Sequence, residues 1–283
     1  MAEKLTVKQK GKLLDFLFSN LDGWSKKTIK QRLQSSSITV NNEFVTKHDY
    51  FLQVDDVVEV GVNKKISVST LNKLEILYQD KDLIAINKPA GLLSVGSASE
   101  TKQHALAILR NQLSRGKNQV KLWPVHRLDR DTSGILLFAT SKEIREQVMD
   151  KWSESQKTYL AIVEGCPKEK KGTITQPLRL DEKEYRMHVG EHPEAKSAIT
   201  HYVLKKTVAK RSLLEVNIET GRQHQIRAHL SWLGNSIVGD QRYGKEGDRM
   251  GLHSKKLTII HPKNKKNLSF EIDAPKDFYL LLK

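Results

Sequence analysis

The sequence predicts an α+β fold: a large, mostly antiparallel or mixed β-sheet domain preceded by a small α/β domain. Three observations predict it. Stretches with strand character outnumber helical ones and mostly follow one another instead of alternating with helices. One of them, ILLFA at 135–139, is an uninterrupted apolar run bounded by turn residues, the pattern of a buried strand. A polar stretch without periodicity, NKKISVSTLN at 63–72, divides the chain, so the expected organisation is a small domain over 1–61, a linker over 62–72 and a large domain over 73–283.

The chain of 283 residues is long enough for both. It contains no long uninterrupted apolar segment, and its opening, MAEKLTVKQKGK, lacks the apolar core of a signal peptide. The expectation is a cytoplasmic protein with no membrane partner. Cys166 is the only cysteine, which permits no internal disulfide and no cysteine-based metal cluster. Lys and Arg number 48 against 33 Asp and Glu, a surplus of +15 that favours a polyanionic partner, most commonly nucleic acid. The first sixty residues nearly balance, so almost all of that surplus lies in the larger C-terminal part.

From the start of the chain, VKQKGKLLDFLFSNL (7–21) places Leu13, Leu14, Leu17 and Leu21 at helical spacing, with Phe16 and Phe18 widening the stripe. Ser25 can cap a second helix, KKTIKQRLQ, carrying Lys26, Lys27, Lys30 and Arg32. Such a charge run is commonly a solvated face, yet no acidic residue from Ser25 to Asn42 offsets it. Short strands are expected at 38–40, 44–46 and 50–60. Two short helices, the second basic, followed by ITVNNEFVTKHDYFLQVDDVVEV, resemble the small RNA-binding domain first seen in ribosomal small-subunit protein four. Asn42 and Asp55 stand where that pattern usually has glycine.

In the large domain, LEILYQDKDLIAIN (74–87) reads as two strands around an Asp80–Asp82 turn, and Pro89 with Gly91 implies a fixed bend. Helices are expected over 103–114, over 140–154 with Thr140 and Glu143 as a capping box, and over 223–233 with Ile226, Leu230 and Leu233 inward. On the last of these Gln223 and Arg227 fall on one face. Strands are expected at 157–164 and 214–218. His224 and His229 are five apart, off one helical face and with no acidic neighbour, which argues against a metal site.

The densest polar stretch is WPVHRLDRDTSG (123–134), which sets His126, Arg127, Asp129, Arg130 and Asp131 just ahead of the buried strand. By itself it reads either as a solvated salt-bridge loop or as a catalytic loop on a rigid support. Other stretches bear on the choice. NKPAGLL (87–93), HRLDRDTSG (126–134), KTY (157–159), TGRQHQIRAHL (220–230), GD (239–240) and YG (243–244) occur together and in order. In that combination the chain from about Leu74 onward resembles the RluA/RluD family of RNA pseudouridine synthases.

The resemblance implies an isomerase that breaks the bond between ribose and the uracil nitrogen, turns the base and rejoins it through carbon, with no redox or metal cofactor. It implies Asp129 as the essential carboxylate. Attack on ribose, attack on the base, and general-base catalysis with charge stabilisation all stay open for it. Arg227 matches the family's partner arginine, which would keep a carboxylate in an apolar pocket ionised. Tyr159 matches the active-site tyrosine, able to stack on uracil or to help remove a proton. Leu252 matches an apolar pocket wall, and His126 and Arg222 are further expected to bind substrate. Because a stacked uridine is unreachable, the base must be flipped, and Arg127 matches the residue that fills the space it leaves.

Lys255 and Lys256 contribute to a C-terminal basic band suited to phosphates. The expected partner is RNA, ribosomal (large-subunit) first and transfer RNA second, bound by a monomer. The rival readings are a non-catalytic RNA-binding or ribosome-assembly protein that keeps the fold, and a base-releasing glycosylase. Asp131 is expected to be structural.

Overall fold

A computed structural model describes the chain except for residues 1, 2, 22, 23, 26, 27, 30–32, 34–37, 42, 46–48, 61–70, 72, 98, 99, 115–118 and 183. It divides into two compact units, Met1–Thr70 and Leu71–Lys283.

In the first unit the strands Glu3–Thr6, Val57–Val60, Ile38–Val40 and Glu43–Phe44 form one sheet in that order, and Gly11–Lys12 pairs with Phe51–Leu52. The helix occupies Leu13–Asn20, shorter than the 7–21 expected. Of the residues before it, Gly11 and Lys12 form a two-residue strand, too short to show its period. The leucine stripe behaves as read: Leu13, Leu17 and Leu21 are buried with Ile29, Leu33, Ile38 and Val58. The Ser25 hydroxyl accepts the Thr28 N–H at 3.1 Å, starting a helical turn. Lys26, Lys27, Lys30 and Arg32 lie outside the described residues. Asn41 and Asp55 take left-handed backbone (φ 51° and 71°), which short polar side chains tolerate better than most.

The second unit is organised by a ten-stranded sheet, so the protein is α+β. Its order runs Lys171–Ile174, Thr200–Val208, Arg211–Ile218, Gln156–Glu164, Leu252–Ile260, Ser133–Ala139, Leu83–Lys88 and Glu75–Gln79. Asn267–Glu271 adds to Leu252–Ile260, and Trp123–Pro124 adds to Ser133–Ala139. Every pairing named is antiparallel except one, the parallel contact of Ser133 and Gly134 with His253 and Ser254. The strand read from ILLFA extends to Ser133–Ala139 and is buried at every residue. Leu83, Ile135, Leu137, Ile144 and Leu257 pack one core beneath it.

Two helical starts differ from expectation. The cap of Lys142–Met149 is Ser141, whose hydroxyl accepts the Ile144 N–H. Thr140, the expected cap, instead donates to the carbonyls of Lys81 and Asp82, tying the strand end to the neighbouring hairpin turn. The helix expected over 223–233 occupies Gln225–Trp232, because His224 adopts left-handed backbone (φ 50°) and cannot continue it. Gln223 therefore precedes the helix and shares no helical face with Arg227.

Candidate active site

The loop from Val125 to Thr132 is fixed at several points. Val125 N–H donates to Leu137, and Ser94 brackets Leu128: its hydroxyl donates to the Leu128 carbonyl at 2.7 Å and accepts the Leu128 N–H at 2.9 Å. Behind the loop lies Lys88, fully buried, whose ammonium donates to the carbonyls of Pro89 (3.0 Å), Leu92 (2.7 Å) and Arg130 (3.0 Å). At the loop's exit Gly134 has φ 108°, and a Cβ there would stand 2.2 Å from the Ser254 carbonyl oxygen. Only glycine lets the two strands meet in parallel at that point.

Facing the loop is the start of helix Gln225–Trp232. The Gln225 side chain accepts from Thr220 Oγ1 and the Arg222 N–H and donates to the Ile199 carbonyl and Thr200 Oγ1, which fixes the turn before the helix. One turn along, Arg227 joins two carboxylates. Its Nη1 donates to Asp129 Oδ2 at 2.8 Å; its Nε and Nη2 donate to Asp240 Oδ2 and Oδ1 at 2.7 and 2.8 Å. This is a fork-to-fork pair on Asp240, which strengthens the bond and fixes its plane.

The Tyr243 ring lies 5.2 Å from the Arg227 guanidinium carbon, within cation–π range. Burial alone would make Arg227 easier to deprotonate, but the hydrogen bonds to Asp240 and the two negative charges more than offset it and hold it charged. Burial likewise pushes the Asp240 carboxyl up, and the Arg227 bonds, with N–H groups of Arg242 and Tyr243, bring it below its ordinary value.

Asp129 and Arg227 line a cleft of about 70 Å³ together with Arg127, Leu128, Thr132 and Tyr159, and with Ile218, Arg222, His224 and Leu252. That is the space of several water molecules, the right order for one planar base. Its walls are mixed: Leu252 and Ile218 are buried and apolar, whereas Arg127 and Arg222 are exposed. Burial pushes the Tyr159 hydroxyl up to about 12, a hydrogen bond with Ser254 opposes this, and the Asp129 charge adds to it. Tyr159 is thus a neutral phenol at pH 7.

Six of the residues singled out from sequence, Asp129, Tyr159, Arg227, Arg127, Arg222 and Leu252, meet in this cleft. His126 does not line it. Its Nε2 accepts the Leu137 N–H at 3.2 Å, its ring stacks on Trp152 at 5.3 Å, and burial lowers it to about 4. It supports the loop from behind. Lys255 and Lys256 lie on the strand beyond Leu252, 3.6 and 3.1 Å from the Glu271 carboxylate.

His229 has both ring nitrogens engaged, by Thr200 Oγ1 and the Gln176 carbonyl. Asp80, Asp82 and His261 also cluster, but His261 Nδ1 accepts the N–H groups of Lys263 and Asn264 while Nε2 donates to Asp80. Sequence reasoning missed three contributors: Lys88, Asp240 and Tyr243. All three sit in the quoted motifs NKPAGLL, GD and YG, so position was signalled and role was not.

A buried arginine is braced between a wholly buried carboxylate and a cleft carboxylate, beside a neutral tyrosine and an apolar wall, an arrangement suited to holding a planar group in a partly dry pocket. The comparisons with known proteins make the class specific. A family model described as RNA pseudouridylate synthase matches residues 82–232. The chain is 32% identical over 292 residues to a ribosomal large subunit pseudouridine synthase C of Buchnera aphidicola, covering 91% of this chain and 90% of that one. It is 33% identical over 230 residues to a tRNA pseudouridine synthase C of Vibrio vulnificus, covering 72% and 91%. The solved structure of human RNA pseudouridylate synthase domain containing 4 superposes with a TM-score of 0.62 at 26% identity, covering 77% of this chain and 95% of that one. The chain belongs to the RNA pseudouridylate synthase family and is an RNA pseudouridine synthase, an isomerase. Among the described residues no helix is long and apolar enough to cross a membrane.

Proposed function

We propose that this protein isomerises particular uridines of large-subunit ribosomal RNA, with Asp129 as the carboxylate that acts at the ribose or base of a flipped nucleotide. The observation that carries this is the 2.8 Å bond from Arg227 to Asp129 at the wall of a base-sized cleft. Arg227 holds the carboxylate in position; Asp240, out of the cleft, keeps Arg227 in place. Tyr159 and Leu252 hold the uracil face, and a dry wall retains the base between cleavage and rejoining. Arg127, exposed and two residues from Asp129, takes the place of the base in the RNA stack.

Ribosomal RNA is the first reading because a ribosomal large subunit synthase aligns along 91% of this chain, while a second ribosomal relative aligns with 74% and the transfer RNA relative with 72%. The first unit resembles a small RNA-binding domain and would help to anchor the substrate.

Asp129→Asn, which keeps shape and removes charge, is expected to abolish release of tritium from RNA labelled at uracil C5 while leaving RNA binding intact. Tyr159→Phe is expected to cut that release by about 100-fold at unchanged affinity, the scale of a lost acid–base group; unchanged release would leave the ring as a stacking surface only. Chemical mapping of pseudouridine in total RNA from cells with and without the gene decides the substrate. A site lost from large-subunit RNA supports the proposal, and a site lost only from transfer RNA transfers it to the second reading.

A further inference from the structure

His224 is the residue of the cleft that neither the carboxylate–arginine pair nor the apolar wall explains. Its backbone is left-handed (φ 50°), a costly conformation for a residue with a Cβ, and such conformations persist where surroundings over-determine them. What surrounds it also fixes its protons. The Tyr243 hydroxyl oxygen accepts the Met187 N–H at 2.7 Å, so its own proton is free to point elsewhere. Its other polar neighbour is His224 Nδ1 at 3.1 Å. A Tyr243 proton directed at Nδ1 would complete the chain Met187 N–H to Tyr243 O–H to His224 Nδ1 and make Nδ1 an acceptor. In a neutral imidazole the proton then sits on Nε2.

Nε2 faces the cleft, 3.9 Å from Asp129 Oδ2 and beyond hydrogen-bond distance of it. Burial lowers the His224 pKa, with Arg227 and Arg242 working in the same direction and Asp129 and Asp240 against it, which favours the neutral ring. Of the other donors in the cleft, Arg227 is committed to its two carboxylates and the Gln225 amide to Ile199 and Thr200, while Arg127 and Arg222 are exposed side chains. A neutral N–H of fixed direction is therefore presented beside the catalytic carboxylate.

We propose that His224 Nε2–H donates a hydrogen bond to a carbonyl oxygen of the flipped uracil and stabilises the charge that develops there as the base detaches. The inference rests on the pseudouridine synthase reading. When the C1′–N1 bond breaks, its electron pair leaves with the uracil and spreads over N1 and the carbonyl oxygens. Rejoining forms C1′–C5, the C5 proton is lost, and a proton returns to N1, so nothing is gained or lost overall. A donor set in advance toward the oxygen strengthens as that charge grows, which lowers the barrier more than it tightens ground-state binding. His224 is then a catalytic residue, and Tyr243 a positioning residue that acts through it.

Two measurements on the full chain test this. The first is independent of activity: a long-range proton–nitrogen NMR spectrum, with the His224 ring assigned by its loss in His224→Gln. The expected pattern is protonated Nε2 and bare Nδ1; the opposite tautomer overturns the proposal. The second is single-turnover tritium release from C5-labelled ribosomal RNA of cells lacking the gene, with affinity for the same RNA measured by filter binding.

His224→Leu is expected to slow release by roughly tenfold or more, the scale of one hydrogen bond strengthened in a transition state, with affinity changed less than twofold. His224→Gln, which keeps an N–H in reach, is expected to recover part of the rate. Equal rates for wild type and His224→Leu overturn the proposal, as does a loss confined to affinity. If wild type releases no tritium from any cellular RNA, the functional reading fails instead, and the NMR result still stands or falls alone.

Discussion

Two buried cations flank Asp129, and they are held in opposite ways. Lys88, behind the loop, has three carbonyl oxygens around its ammonium and no carboxylate bonded to it. Burial brings its pKa down to about 7, although the charges of Asp131 and Asp129 oppose the fall. Arg227, on the cleft side, is also buried, yet its guanidinium is bound by two carboxylates and its charge is reinforced. Burial is common to both, so the difference lies in what the protein offers in return. Neutral dipoles make Lys88 a clamp whose charge is marginal at neutral pH; paired anions make Arg227 a permanent counter-charge. The first arrangement suits holding a backbone, the second holding a cleft carboxylate.

Arg227→Ala is the most severe way to break this contrast. It strands Asp240, which has no exposed side-chain surface, and removes the partner of Asp129. A loss of about 3–5 kcal/mol in chemical denaturation is expected, with turnover abolished. Normal turnover in this variant would refute the pairing.

Lys88→Met comes next. It leaves three carbonyls without their donor, at a cost of about 1–3 kcal/mol, less than for Arg227 because no charge is orphaned. The pH dependence sharpens the point. Unfolded, the lysine titrates near 10.4, so between about pH 7 and 10 the unfolded chain binds a proton that the folded chain does not, and wild-type stability should rise across that window. Denaturation midpoints of Lys88→Met should rise less over the same range.

Tyr243→Phe keeps the ring against Arg227 and removes only the hydroxyl. Leaving the Met187 N–H and His224 Nδ1 without it should lower stability by about 1 kcal/mol. The smallest effect is expected for Glu271→Gln, which frees the half-buried Lys255 and Lys256 from their carboxylate. RNA affinity should rise no more than about threefold, the gain should vanish at high salt, and the denaturation midpoint should stay in place.

The buried strand at 133–139 was legible because an apolar run between turn residues has few other homes. The meeting of Asp129, Tyr159 and Arg227 was legible only through motif resemblance, since no spacing rule joins residues 98 apart. Local chemistry misled where a neighbour competed. Thr140 has the look of a cap but is claimed by two carbonyls of another turn, leaving the work to Ser141. His224 looks like helix interior but carries the left-handed bend that ends the preceding loop. His126 stands beside the catalytic residues in sequence yet points to Trp152, because a loop turns neighbouring side chains to different sides. The roles of Lys88 and Asp240 depend on which buried groups lie opposite, and sequence order does not show that.

The parallel pairing between two strands of the large sheet, Ser133 and Gly134 with His253 and Ser254, has a consequence for how the molecule is made. A hairpin can close as soon as its second strand is synthesised, whereas this join waits for more than a hundred further residues and closes a long loop. Until the strand Leu252–Ile260 has left the ribosome, the loop bearing Asp129 has neither its lateral neighbour nor the Leu252 wall of its pocket. An organised cleft therefore waits for that strand, and truncations before it should yield chains with collapsed hairpins and no organised centre.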